Sequence, residues 1–138
     1  MFSGLFQSTT IPILEQVVNF AEARHTVLAG NLANLHTPGY QARDLSVEEF
    51  QTRLKQAIEA RDQQQPEARS PGDLAASWSD MVAQAAENPK TILFHDQSDD
   101  AVEIQVTEMV KNQLQHNLAL TILTNQFQLL RSAVSEQV

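Results

Sequence analysis

Leu14, Val18, Ala21, His25, Leu28, Leu32 and Leu35 recur at alternating steps of four and three. Held over three repeats, that alternation predicts an α-helix with one apolar seam. Pro12 suits its first turn, with Thr9 or Thr10 as cap. Near the other end, Val102, Val106, Met109, Gln113, His116, Leu120, Leu123, Phe127, Leu130 and Val134 keep the same alternation, flanked by a stripe of Val110, Leu114, Leu118 and Thr121. Both ends therefore read as helices that need a helical partner, and the simplest arrangement pairs them with each other. Gln113 and His116 weaken packing within the seam but can fix its register.

Between them, LSVEEFQTRLKQAIEA (45–60) predicts another helix, opened by a capping box from Ser46 to Glu49. Residues 61–73 are rich in Gln and Pro and read as a flexible connection. A weaker helical pattern covers 74–88, and TILFH (91–95) is the one plausible strand. The expectation is a mainly α chain: long N- and C-terminal helices packed as a coiled-coil-like pair, with a short irregular middle holding one or two helices and little β. Its segments are 1–40, 41–100 and 101–138, within one structural unit. At ~1.5 Å per residue the first helix spans about 36 Å and the last about 51 Å, so roughly ten residues of the longer seam need a different partner.

Composition narrows the function. The chain has 138 residues, is 42% hydrophobic but only 6% aromatic, and carries a net charge of −8. Its few bases are scattered, which argues against nucleic acid. The charge sits in the middle: residues 1–35 and 101–138 each carry a net of −1. The last 38 residues hold nine Asn and Gln, where a solvated helix usually carries Glu and Lys pairs. Neutral amides that both donate and accept suit packing against protein. No run of apolar residues approaches a membrane span, and the start lacks a conventional signal peptide.

No catalytic or cofactor constellation emerges. The absence of cysteine excludes thiolate catalysis and zinc–thiolate sites. His25, His36, His95 and His116 form no HxxxH or HExxH, and His25 and His116 are expected as packed, hydrogen-bonded side chains. The segment from Asp96 has calcium-loop spacing at first but lacks the glycine and the closing glutamate; Asp99 or Asp100 better suits the positive end of the last helix.

One stretch is not explained by packing. Thr37-Pro38-Gly39-Tyr40 is a turn signal, with Pro fixing φ and Gly accepting a positive φ at the next position. It stops the first helix near Leu35 and leaves Asn31 and Asn34 in the last turn, where carbonyls lack helical partners. Their amides can bond those carbonyls or a neighbouring chain. A simple helix stop would need only one of them.

This stretch resembles the signature N-x-A-N-x-x-T-P-G-[YF] of the bacterial flagellar rod and hook family, matched at Asn31, Ala33, Asn34, Thr37, Pro38, Gly39 and Tyr40. VLAG (27–30), QARDL (41–45), KNQL (111–114) and QFQLLRSAV (126–134) agree with it, while SDDAVE (98–103) departs from the Gly-Asn turn usual there. The short middle is similar to that of the small proximal-rod members. The resemblance implies a non-enzymatic subunit of the basal body, exported without a cleaved signal peptide through the flagellar type III apparatus. It would stack helically with copies of itself, with other rod subunits and with the adaptor to the inner-membrane ring, so transmitting torque. Phe2 and Phe6 are similar to the Phe-x-x-x-apolar element of early export substrates. Leu14, Val18, Leu28, Leu32, Met109, Leu120, Leu123, Phe127 and Leu130 are the expected assembly seam. The rival expectation is a small acidic helical export chaperone or adaptor, which would remain a soluble cytoplasmic dimer.

Overall fold

A computed structural model describes residues 10–63, 90–91 and 99–135. The chain is mainly α, and its long N- and C-terminal helices pack together. Helix α1 spans Ile11–Asn34, β1 is Arg43–Asp44, α2 is Val47–Gln63, β2 is Lys90–Thr91 and α3 is Asp99–Ser135. The middle helix thus runs three residues into the stretch expected as a connection. The remainder of that connection, the pattern over 74–88, most of TILFH, and Phe2 and Phe6 lie outside the described residues.

Pro12 occupies the first turn of α1, where its missing N–H is no loss, and Leu14 N donates to Thr10 O at 3.0 Å. The Thr10 side chain makes no capping bond. At α2, Glu49 N donates to Ser46 Oγ at 3.3 Å, half of the expected capping box. Strands β1 and β2 form a two-residue antiparallel ladder, Arg43 opposite Thr91 and Asp44 opposite Lys90. Helix α2 meets α1 through Phe50, whose ring stacks on Phe20 with centroids 4.0 Å apart.

Helices α1 and α3 are antiparallel: contacts join Asn31 to Gln105, Arg24 to Glu108, and Ala21 to Asn112. Continued at that rate, Ile11 falls opposite roughly residue 122, so about 13 residues or ~20 Å of α3 run past the start of α1.

The contacting faces differ from the periodicity's forecast by one position. On α3, Val102, Met109, His116, Leu123 and Leu130 lie half-buried along the expected line. The companion line is Gln105, Asn112, Ala119 and Gln126, while Val106, Gln113, Leu120 and Phe127 are exposed. On α1 the buried face is Ile11, Gln16, Phe20, Ala21, Arg24, Leu28 and Asn31. Of the expected seam, Ala21 and Leu28 are buried, Leu14, Val18, His25 and Leu35 are half-buried, and Leu32 is exposed. The cause is physical. Counting large apolar side chains ignores two things that bring helices together: small residues that permit close approach, here Ala21 and Ala119, and amides that find partners across the gap.

The rotated face makes a direct prediction. Leu28→Ala should lower unfolding free energy by about 3 kcal/mol, because it empties a packed site. Leu32→Ala, one turn on but outside the interface, should change it by less than about 1 kcal/mol. Denaturant titration of both variants checks this, and equal losses would contradict the assigned face.

Candidate functional site

The site that stands out is the end of α1 with the chain that returns beside it. Thr37 N donates to Asn34 O at 2.9 Å and Tyr40 N to Thr37 O at 3.1 Å, closing the turn over Pro38 and Gly39. Gly39 has φ of 78°, a left-handed conformation that strains any residue with a Cβ. Asn34 Nδ2 donates to Gly30 O at 2.9 Å and satisfies one of the last-turn carbonyls.

Asn31 does something else. It is fully buried, at 0% exposure. Its Nδ2 donates to Arg43 O at 2.6 Å and to Gln105 Oε1 at 3.2 Å. Its Oδ1 accepts from Tyr40 Oη and from Arg43 N, both at 3.1 Å. Two donors and two lone pairs are all used, so one side chain joins α1, the turn, β1 and α3. The two asparagines therefore have separate tasks: Asn34 caps and Asn31 clamps. Ala33, Thr37, Pro38, Gly39 and Tyr40 are exposed around them.

Beside the clamp lies an ion cluster that sequence reasoning missed. Arg24 donates from Nε to Asp44 Oδ1 at 2.8 Å and from Nη2 to Asp44 Oδ2 at 2.6 Å. Nη2 also reaches Glu108 Oε2 at 2.9 Å, and Lys111 Nζ donates to Glu108 Oε1 at 2.8 Å. Asp44 Oδ1 further accepts from Leu45 N at 2.7 Å. The fork on Asp44 fixes orientation as well as charge. Hydrogen bonding to Asp44 holds the guanidinium protonated more firmly than usual, against the opposing effect of burial, with Glu108 adding to the hold. Lys111, then Arg24, pull the Glu108 carboxyl below the ordinary glutamate range. A signal for Arg24 existed: it is the lone base of residues 1–35 and shares a helix face with Leu28 and Asn31, four and seven residues on.

Further along, Asn112 Nδ2 donates to Ala21 O at 2.7 Å. Asn112 Oδ1, His25 Nδ1 and His116 Nδ1 are buried without hydrogen-bond partners among the described residues, so the two histidines are packed but lack a bond expected of them. Among the described residues there is also no cluster of three side chains able to hold a metal.

The opposite side of α3 is apolar and open. Val110, Leu114 and Leu118 are 62%, 70% and 59% exposed, and Ile122 and Leu129 continue that side, while Leu120, Phe127 and Val134 are exposed on the seam side of the helix. From Asn112 to Leu130, α3 has no Asp, Glu, Lys or Arg. Its interspersed amides matter here, because no helix among the described residues is long and apolar enough to cross a membrane. Of the expected assembly seam, Leu120 and Phe127 belong to the exposed set, while Met109, Leu123 and Leu130 are half-buried.

Flagellar basal body rod protein FlgB of Salmonella typhimurium is 28% identical to this chain over 121 residues, covering 81% of the chain and 83% of its own length. The proteins of the same name from Escherichia coli K12 and Shigella flexneri match with the same identity and coverage. The likeness supports the FlgB family. No family model and no solved structure matches the chain. The alignment to the FlgB relatives covers most of both chains and so extends well beyond the ten-residue motif.

Two predictions follow from this geometry. Asn31→Asp removes both donors and sets a carboxylate against Arg43 O and Gln105 Oε1, so it should destabilise the fold by about 3 kcal/mol. Asn34→Ala, which loses one carbonyl cap, should lower stability by only about 1 kcal/mol. Urea titration separates them. The second prediction concerns pH. Because Glu108 is more acidic in the fold, its contribution is complete above the ordinary glutamate value of 4.5 and disappears as pH falls through its lower folded value. Thermal melts across acid pH should therefore show a decline that Glu108→Gln makes shallower, and identical profiles would refute the coupling.

Proposed function

We propose that the chain is a rod component of the flagellar basal body, and that it assembles through the exposed apolar side chains of α3, Leu120 and Phe127 among them. The FlgB likeness supports the basal-body assignment. The observation that carries the assembly reading is the exposure of Val110, Leu114, Leu118, Ile122, Phe127 and Leu129 on a helix without formal charge from 112 to 130. Apolar side chains left exposed on more than one side of a helix are unfavourable in water and mark surfaces that other protein covers. Neutral amides among them can pair with amides on neighbouring chains.

On this reading the subunit works by shape and contact, with no catalytic step. The α1–α3 pair forms an inner helical layer, and the exposed apolar side chains of α3 join copies of the chain or related rod subunits into a helical stack that transmits torque. Leu14, Val18, Leu32, Met109, Leu120, Leu123, Phe127 and Leu130 contribute to that layer, with Leu28 holding it together from within. Export through the flagellar type III apparatus, with Phe2 and Phe6 as its recognition element, delivers the chain to the periplasmic rod.

Leu120→Asp and Phe127→Asp test the reading, since both side chains are exposed and neither holds the fold together. Each variant should be produced and remain helical by circular dichroism, yet be absent from purified basal bodies and fail to restore swimming. Incorporation at wild-type levels would overturn the assembly reading. Fractionation as a soluble cytoplasmic dimer would instead favour a chaperone.

A further inference from the structure

The covered line of α3 does not stop where α1 stops. Gln105, Asn112 and Ala119 are buried, with Val102, Met109 and His116 half-buried among them. The same spacing of three and four continues through Leu123, Gln126 and Leu130, all half-buried. Yet Ile11, the first residue of α1, falls opposite roughly residue 122. Helix α2 has no comparable packing against α3.

The helix does not shield these residues by itself. In the same stretch Gln128 is exposed where Gln126 is half-buried, and Leu129 is 64% exposed where Leu130 is half-buried. Residues of one type on one regular helix shield themselves alike. The contrast therefore belongs to one side of α3 and to something lying on it.

Chain direction says what reaches that side. Because α1 and α3 are antiparallel, the residues before Ile11 leave α1 beside the tail of α3. At Thr10 the backbone is helical, with φ of −79° and ψ of −1°, rather than extended as at most caps, so the chain is not turned aside there. Counted back at the α1–α3 rate, Thr10 faces about residue 123, Gln7 about 126 and Ser3 about 130. Leu123 to Leu130 is a rise of about 10 Å, and nine residues span about 14 Å even as a helix.

The chemistry matches. MFSGLFQST (1–9) holds no Asp, Glu, Lys or Arg, and neither does α3 from Asn112 to Leu130. Phe2, Leu5, Phe6 and Thr9 have the spacing of one helix face. By contrast, the stretch 64–89 carries Glu67, Arg69, Asp73, Asp80 and Glu87. An uncharged apolar segment gains most, and desolvates least, on an uncharged line.

We infer that residues 1–9 of the same chain seat on α3 along Leu123, Gln126 and Leu130, carrying the α1–α3 pairing almost to the end of α3. Leu120, Phe127 and the side from Val110 to Leu129 stay open, so the seat is independent of what those side chains join. It gives Phe2 and Phe6 a place in the folded chain, in addition to the export role proposed above.

The chain has no cysteine, so paired probes are clean. Gln7→Cys with Gln126→Cys tests the seat, and Gln7→Cys with Gln128→Cys, at the same height on the opposite side of α3, is its control. In dilute solution a short bismaleimide should join the first pair within one chain at least about tenfold faster than the second. Ser3→Cys with Leu130→Cys, set against Ser3→Cys with Ser132→Cys, repeats the comparison one turn further on if a variant of the first set loses helix by circular dichroism. Phe2→Asp with Phe6→Asp should bring the two rates together, because a segment without its apolar contacts visits both sides alike. Equal joining on the two sides with the native segment would overturn the inference. So would joining only between chains, which would seat the segment on a second copy, or a contrast that the Asp substitutions leave unchanged.

Discussion

A buried primary amide can be satisfied only if four hydrogen-bonding positions are filled at once, and Asn31 meets that constraint within a single chain. The rest of the architecture depends on it. The turn over Pro38 and Gly39 must close so that Tyr40 Oη reaches Oδ1, and the backbone of Arg43 must pass within bonding distance. That path delivers Asp44 to Arg24, and Arg24 in turn reaches Glu108 on α3. Helix end, turn, short strand and partner helix are thus fixed by one set of mutually dependent bonds. Polar groups in such a network leave a buried vacancy when any one is removed, which makes the arrangement specific and sensitive to substitution.

Much of this was legible beforehand. The two terminal helices, the Pro12 start, the stop near Leu35 and the positive φ of Gly39 each follow from local rules with few competitors. The separate roles of Asn31 and Asn34 were only half visible. Sequence spacing places both on the last turn, but which amide meets a helical carbonyl and which meets the returning chain depends on where Arg43 passes. The face of each helix was misjudged by one position for a related reason. Heptad counting rewards large apolar side chains, whereas the α1–α3 contact uses Ala21, Ala119, Asn112 and Gln105. Those residues are favoured by close approach and by hydrogen bonding across the gap, and neither leaves a mark on a hydrophobic pattern.

The ion cluster illustrates a further limit. Arg24, Asp44 and Glu108 are far apart in sequence and no local rule pairs them, although Lys111 stands three residues from Glu108 on one helix. Once the clamp sets the course of β1, their proximity follows. Two cations and two carboxylates gathered at this end balance one another, so a buried guanidinium carries no uncompensated charge.

The same logic divides α3 along its length. Its first half faces partners supplied by the chain itself: the Asn31 amide, the Arg24 fork and the Ala21 carbonyl. Its last third runs past the start of α1 and carries no formal charge until Arg131, yet it remains studded with amides. A helix that needed only solvent there would be stabilised by Glu and Lys pairs at i, i+4 spacing. A helix that needed only a dry core would have no use for Asn and Gln. Apolar side chains interleaved with neutral amides serve a third situation, in which neighbouring protein covers the surface and supplies hydrogen bonds at the same time. On the assembly proposed above, the polar contact within the chain and the exposed apolar side chains of α3 are complementary: amides and charges close the chain on itself and leave carbon, with a few further amides, for neighbours.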